Sequence, residues 1–152
     1  MITLFALGIV FLSKTRTGRY IYGVGGNEEA SRLSGINTKR IKMLVFATSS
    51  TLAALAGVVL LARINSGQPK SGDGYEMDVI TAVVLGGTSI SGGEGNLIFV
   101  IFGVLIMGVL KNGMIMINVS DYVQQVISGL VLVAAVAFDR YMQRIKQRQI
   151  KV

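Results

Sequence analysis

The chain has 152 residues, of which 51% are hydrophobic and 15% are charged, and its formal net charge is +7. A soluble domain usually carries about a quarter charged residues, so this composition excludes an ordinary water-soluble fold and favours a lipid bilayer as the solvent. The absence of cysteine and histidine excludes disulfides, thiolate metal sites and histidine-based acid–base chemistry within this chain.

Five apolar segments follow one another and are the candidates for membrane helices. The first, Ile2–Leu12, is too short for a full span and lacks the basic start and small-residue end of a signal peptide. Met43–Ala62 has no charged residue and has the length, about 20 residues, that crosses about 30 Å of hydrocarbon. Val79–Ile90 and Leu97–Leu110 are shorter, and Tyr122–Phe138 is the second long segment. The sequence therefore predicts one all-α membrane domain over residues 1–152, a bundle of about four to five transmembrane or part-spanning helices.

Positive charge is concentrated in two stretches, which predicts the orientation of the chain. Residues 13–42 contain seven basic and two acidic residues, and the tail 139–152 contains five basic residues, whereas residues 63–78 have two basic against three acidic. Because cytoplasmic segments carry the excess of Lys and Arg, we expect 13–42 and 139–152 in the cytoplasm and 63–78 in the periplasm. This topology accounts for the basic residues without a nucleic-acid partner.

The return from residues 63–78 to a cytoplasmic C-terminus requires an odd number of crossings. Three full spans formed by Val79–Ile90, Leu97–Leu110 and Tyr122–Phe138 satisfy this requirement. A re-entrant hairpin formed by the first two segments, followed by one full span, satisfies it equally well. The charge distribution does not separate these alternatives.

A short capped helix is predicted inside the cytoplasmic segment. Asn27 is a good N-cap, Glu28–Glu29 lie at the positive end of the helix dipole, and Gly35 suits the left-handed position after the helix. Gly25–Gly26 are expected to let the chain turn sharply into it. A two-turn helix in this position has the right shape to dock into the groove of a partner, and the alternative is an ordinary surface helix.

The glycine-rich stretch Gly86–Gly95 lacks the Gly-Lys-Ser/Thr end of a nucleotide-binding loop, so ATP is not expected to be hydrolysed here. Non-helical backbone at membrane depth is tolerated only against protein or a water-filled cavity. The stretch is therefore either the lining of a gate or pathway, or a tight turn between two helices.

Polar residues also mark the last two apolar segments. Gln125, Ser128 and Gly129 share a face of the last segment, which can line a polar path or form an interhelical hydrogen bond. Lys111 and Asn112 follow the fourth segment near its outer boundary, where a lysine can extend to the interface.

Several motifs occur in order between Thr17 and Asp139. They are Gly18–Asn27 with Ala30 and Ser34–Asn37, Ser66–Pro69, Gly74–Asp78, Val83–Ser89 with Gly92–Gly93, Asn112–Met114, and Val126–Val136. In this order they resemble the permease subunits of ribose- and galactoside-type ABC importers, and specifically the C-terminal half of such a permease.

The resemblance implies a transport subunit of the bacterial cytoplasmic membrane, with no active site, cofactor or metal of its own. The implied partners are cytoplasmic ATPase subunits, a second permease copy or a missing N-terminal half, and a periplasmic sugar-binding protein. The residues that correspond to the segment coupled to the ATPase are Gly25, Gly26, Asn27, Glu28, Glu29, Ala30, Leu33 and Gly35. The candidates for the translocation pathway are Gly86, Gly87, Thr88, Ser89, Asn112 and Gln125.

Four positions depart from the family pattern. Phe99 and Val100 replace a usual Gly-Thr pair, Lys111 replaces a usual Asn, and Asn118 replaces a usual Gly, which affects close helix packing and the outer end of that helix. Family members are usually much longer, so the alternative function is a truncated, non-transporting membrane remnant or scaffold. An intramembrane enzyme is not favoured, because the predicted spans contain no Asp, Glu, Lys or Arg.

Overall fold

The structure, a computed structural model, describes residues 2–67 and 72–149, with side chains described for 3–67 and 72–142. Every regular element in these ranges is an α-helix, which confirms the predicted all-α fold. The helices are α1 (Ile2–Lys14), α2 (Arg16–Gly26), α3 (Glu28–Leu33), α4 (Thr38–Ile64), α5 (Tyr75–Leu85), α6 (Leu97–Met116) and α7 (Asp121–Gln149). The motif residues Gln68 and Pro69 and the basic residues Lys70 and Lys151 lie outside the described residues.

Three of the described helices are long and apolar enough to cross a membrane. They contain the stretches Thr38–Ile64, Leu97–Met116 and Asp121–Met142, so the chain has several membrane-spanning helices, as predicted. The predicted end of the fourth segment at Leu110 is wrong, because α6 continues to Met116 and includes Lys111.

Helix α5 differs from the predicted segment Val79–Ile90 at both ends. It begins at Tyr75 and ends at Leu85, so Ile90 lies in the following loop. The helix stops because the next residues are Gly86 and Gly87, and Gly87 has a left-handed backbone with φ of 77°. With 11 residues, α5 is about 16 Å long and cannot cross the hydrocarbon by itself.

The chain divides into two compact units, Met1–Asp73 and Gly74–Val152. In the first unit, α2 packs against α1, α3 and α4. The hydroxyl of Thr15 accepts a hydrogen bond from the Gly18 amide at 3.0 Å and caps the start of α2. Gly18 lies so close to α1 that a Cβ there would be 2.2 Å from the carbonyl oxygen of Leu12. The long helix α4 buries none of its apolar window within this unit.

In the second unit, α5 packs against both α6 and α7. A Cβ at Gly103 would lie 2.0 Å from the carbonyl oxygen of Ala82, and a Cβ at Gly86 would lie 2.5 Å from the Cα of Val100. Glycine at both positions therefore lets the two backbones touch. Val100, one of the departures from the family pattern, is buried in this close contact.

The loop between α5 and α6 is a tight connection made by hydrogen bonds and left-handed glycines. The Ser89 amide donates to the Glu94 carbonyl at 3.0 Å, and the Gly92 amide donates to the Ser89 carbonyl at 3.1 Å. Gly92 and Gly93 have φ angles of 87° and 77°, which residues other than glycine rarely adopt. The glycines of this stretch thus form the turn of a helical hairpin, and its role as a pathway lining stays a prediction.

Candidate functional site

The first candidate site is α3, which has a well-formed cap at its N-terminus. Asn27 has an extended backbone (φ −154°, ψ 101°), its amide donates to the Gly23 carbonyl at 3.0 Å, and its side chain accepts from the Ala30 amide at 2.9 Å. A single residue therefore ends α2 and begins α3. This confirms the predicted N-cap and the predicted short helix.

The C-terminus of α3 is closed by the predicted left-handed glycine. Gly35 has φ of 83°, its amide donates to the Arg32 carbonyl at 3.0 Å, and the Ile36 amide donates to the Ser31 carbonyl at 3.1 Å. This pair of bonds is the Schellman arrangement, which satisfies carbonyl groups that a helix end otherwise leaves free. With caps at both ends, a six-residue helix becomes a defined surface element.

The expected sharp turn at Gly25–Gly26 is wrong. Both glycines belong to the last turn of α2, and neither has a positive φ. The sequence does not predict helix α2, because its four glycines give it a low intrinsic helix propensity. Burial of Gly18 and Val24 against neighbouring helices overrides that propensity, and the change of direction occurs at Asn27 instead.

An ion pair joins α3 to the start of α4. Lys42 Nζ lies 2.6 Å from Glu28 Oε2, with both side chains about half exposed. The hydrogen bond from Lys42 holds the pKa of Glu28 below its ordinary value, although partial desolvation opposes the shift. The charge of Lys42, the Thr38 hydroxyl and Arg32 lower the pKa of Glu28 further. The short helix is thus tied electrostatically to the first turns of a membrane-spanning helix.

The surface around α3 is open and carries an exposed apolar side chain. Leu33, at the end of the helix, is 81% exposed. Next to it lies an open cleft of about 650 Å³. Its lining residues are Glu28, Glu29, Arg32, Gly35, Ile36, Asn37, Thr38 and Lys39. The first turn of α4 thus lies beside several of the predicted coupling residues, and their role in coupling stays a prediction.

The predicted pathway residues do not form one site. Gly86, Gly87, Thr88 and Ser89 lie at the C-terminal end of α5, where Gly86 contacts α6. Gln125 lies at the other end of α5, with its Nε2 3.2 Å from where a Cβ of Gly74 would be. These two ends are separated by the length of α5, about 16 Å. Asn112 is exposed on α6.

The predicted polar face of α7 is partly correct. Ser128 is buried and donates a hydrogen bond to Asp78 of α5, so the interhelical alternative describes it. Gln125 is exposed, whereas the neighbouring Gln124 is buried and its amide donates to the Val119 carbonyl at 2.8 Å. The buried amide of α7 is therefore that of Gln124, and the prediction that Gln125 lies on the polar face with Ser128 is wrong.

A charged cluster, which the sequence did not predict, connects the three helices of the second unit. Lys111 of α6 forms an ion pair with Asp78 of α5, and the Ser128 hydroxyl of α7 donates to the second oxygen of the same carboxylate at 2.9 Å. The Lys111 ammonium also lies 4.9 Å from the centre of the Tyr75 ring. The expectation that no span contains an ionisable residue is wrong, because Lys111 lies within α6.

Residues 1–136 match the family described as "Branched-chain amino acid transport system / permease component". The chain belongs to this family. The match covers most of the two units, from α1 into α7, and confirms that the ordered motifs identify a permease component.

Curated relatives include transport proteins named for two sugars. The chain is 48% identical to the ribose import permease protein RbsC of Escherichia coli over 143 residues, which are 90% of this chain and 44% of that protein. It is 46% identical to the L-arabinose transport system permease protein AraH of Escherichia coli over 138 residues, 91% of the chain and 42% of the relative.

A relative from a second organism has a similar identity. The ribose import permease protein RbsC of Bacillus subtilis is 46% identical over 140 residues, 92% of the chain and 44% of the relative. The chain thus spans less than half the length of these relatives. No solved structure matches it significantly.

Proposed function

We propose that the chain is a permease part of an ABC importer and forms part of the translocation pathway for a monosaccharide, such as ribose or a related sugar. The observation that carries this proposal is the 48% identity to a ribose import permease protein over 143 residues. A similar identity to an L-arabinose permease supports a pentose-sized substrate class more than one particular sugar.

The proposed partners follow from the relatives, which are named as ribose and L-arabinose permease proteins. The glycine-rich stretch of the chain lacks the end of a nucleotide-binding loop, and ATP hydrolysis is assigned to separate cytoplasmic ATPase subunits. The remaining transmembrane helices are assigned to an N-terminal half or to a second permease copy. Delivery of the sugar from outside is assigned to a periplasmic binding protein.

Helix α3 is proposed as the element that receives the motion of the ATPase. Its two caps make it a rigid unit, and Leu33 offers an apolar anchor for the groove of a partner. The Glu28–Lys42 pair passes displacement of this unit to α4. A rigid element tied to a span is what alternating access needs, since packed helices shift as bodies and do not deform continuously.

The proposed orientation places the α3 segment and the C-terminal tail in the cytoplasm of a bacterium, with the chain in its inner membrane. The excess of basic residues in 13–42 and 139–152 supports this orientation. The segment 63–78 is then periplasmic, on the side from which the binding protein approaches.

The first test is co-purification of the ATPase subunit of a ribose- or arabinose-type importer with the tagged chain from solubilised membranes. We expect capture by the parent chain and loss of capture with Leu33→Glu, which places a charge on the exposed anchor. Met142→Glu is the matched control, because Met142 is also exposed, at 41%, and lies in the predicted cytoplasmic part of α7.

Uptake then tests the transport function. The chain is reconstituted in proteoliposomes with the ATPase, the N-terminal half and the binding protein, and uptake of labelled D-ribose and L-arabinose is measured with and without ATP. ATP-dependent uptake of either sugar supports the proposal. If the ATPase co-purifies but neither sugar enters, the substrate class is wrong; if the ATPase is not captured, the coupling role of α3 is wrong.

A further inference from the structure

The charged cluster of the second unit consists of one ion pair and two supporting side chains from three helices. Asp78 of α5 accepts from Lys111 of α6 through one oxygen and from Ser128 of α7 through the other. The Tyr75 ring, one helical turn before Asp78, lies next to the ammonium group. One carboxylate thus contacts both helices that pack against α5, and we call these four residues the Asp78 cluster.

In this cluster Asp78 and Lys111 each compensate the charge of the other. The side chains of Asp78 and Lys111 are 19% and 33% exposed within the unit, and Lys111 belongs to a helix that is apolar enough to cross a membrane. Charged groups in such helices are unfavourable unless they are paired. Removal of one partner leaves the other charge uncompensated, whereas removal of both does not.

Helix α5 is short and lies between two glycines with left-handed backbones. Gly74 precedes it with φ of 85°, and Gly87 follows it with φ of 77°. From Ala82 onwards the helix is fixed by the close backbone contacts of Ala82 and Gly86 with α6. The Asp78 cluster provides the corresponding attachment for the N-terminal half.

We propose that the Asp78–Lys111 ion pair, aligned by Ser128, is a latch that holds the N-terminal half of α5 against α6 and α7. Breaking the pair releases α5 from the Gly74 end up to the contact of Ala82 with α6 and exposes Thr81, the last residue before that contact, which is completely buried in the closed arrangement. In this device Lys111 acts as a positioning residue, since it fixes the Asp78 carboxylate.

The role of the latch in transport rests on the permease function proposed above. A permease that alternates between two arrangements needs an element that can separate from its neighbours and pack again. A hydrogen-bonded ion pair suits this task, because a contact between side chains can break and form again, whereas the backbone contacts of Gly103 leave no room for adjustment.

The test uses the absence of cysteine from the chain. A single Thr81→Cys substitution places a thiol three residues after Asp78, on the same face of α5. The hydroxyl of Thr81 donates to the Met77 carbonyl within α5, so its loss removes no hydrogen bond between helices. Ser31→Cys, at a buried serine of the first unit, reports unfolding elsewhere in the chain. The rate of maleimide labelling is measured for each cysteine on the chain in native membranes.

Neutralising one charge is expected to raise the labelling rate of the cysteine at position 81 by about tenfold or more, because it shifts the equilibrium towards released α5. Lys111→Met and Asp78→Asn are both expected to do so, with the cysteine at position 31 unaffected. Lys111→Arg, which keeps the charge, is expected to retain protection.

The decisive variant combines Asp78→Asn with Lys111→Met. It has no uncompensated charge but also no ion pair, so labelling at position 81 is expected to stay about tenfold or more faster than in the parent. The proposal is overturned if this double variant is as protected as the parent, because the single variants would then act only through an unpaired charge. It is also overturned if Lys111→Met labels as slowly as the parent, or if labelling at position 31 rises together with labelling at position 81.

The labelling is done on the chain without ATPase, binding protein or sugar. Its result therefore does not depend on whether transport is demonstrated. If position 81 is protected in the parent and released in the variants that lack the ion pair, while the chain supports no uptake, the latch stands and the permease function is refuted.

Discussion

At the scale of single residues, Asn27 has the most defined role, since it terminates one helix and caps the next. Removing its side chain with Asn27→Ala is expected to cost α3 about 1 kcal/mol, the typical value of an N-cap. Hydrogen exchange at the Ala30 amide, whose acceptor is removed, should become about fivefold faster. Asn37→Ala is the control, because Asn37 caps the 27-residue helix α4 in the same way and its loss should leave Ala30 protected. Equal effects of both variants at Ala30 would contradict this assignment.

The ion pair between Glu28 and Lys42 depends on pH. Its pKa is lowered in the folded chain by the hydrogen bond from Lys42, so the tie between α3 and α4 is fully present above the ordinary Glu pKa of about 4.3. It is lost as the pH falls through the lower, folded-state value. We expect protection of the α3 amides to decrease in this acidic range in the parent chain. Glu28→Gln should show no such transition at matched pH, and an identical transition in both chains would assign it to another group.

Lys111, also at the scale of single residues, forms a contact that the sequence does not predict. In the sequence the charge predicts the end of an apolar segment at Leu110, because an isolated lysine is unfavourable within a membrane helix. Its partner Asp78 lies 33 residues earlier on another helix. No local pattern connects the two, so the extension of α6 to Met116 and the ion pair were both missed.

At the scale of elements, the close contact between α5 and α6 depends on glycine. Gly103→Ala would place a methyl group 2.0 Å from the Ala82 carbonyl oxygen, so the helices must separate, at an expected cost of about 1–3 kcal/mol. Gly108→Ala on the same helix meets no atom within 4 Å and gains helix propensity, so it should be neutral or stabilising. The apparent Tm of the two variants in detergent separates these effects. Equal Tm values would mean that α5 and α6 are not in backbone contact.

The helices that were predicted correctly have signals within their own sequence. Helix α4 follows from an uninterrupted apolar stretch, and α3 follows from the chemistry of Asn27 and Gly35 at its ends. Helix α2 has neither signal, since its glycines disfavour a helix and only its packing against α1, α3 and α4 stabilises it. The candidate site divides in the same way: the caps of α3 were predictable, whereas the Asp78 cluster depends on contacts between distant helices.

At the scale of the whole molecule, the spanning helices have much more apolar surface than the two units bury. The described units bury 0% of the apolar window of α4, 22% of that of α6 and 11% of that of α7. These surfaces must be covered by lipid or by other helices, since a contiguous apolar surface of this kind is not stable in water. The length of the relatives, of which this chain covers 42–44%, is consistent with further helices as part of that cover.

The orientation of the molecule is the remaining property that can be tested as a whole. The charge distribution predicts that Ser34, after α3, lies in the cytoplasm and that Ser66, after α4, lies in the periplasm. Because the chain has no cysteine, Ser34→Cys and Ser66→Cys each give a single thiol for a membrane-impermeant maleimide. We expect the thiol at position 66 to react in intact cells and the thiol at position 34 to react only after permeabilisation. If both react in intact cells, α4 does not cross the membrane, and α3 cannot reach a cytoplasmic ATPase; if only position 34 reacts, the orientation is inverted and the coupling role fails for the same reason.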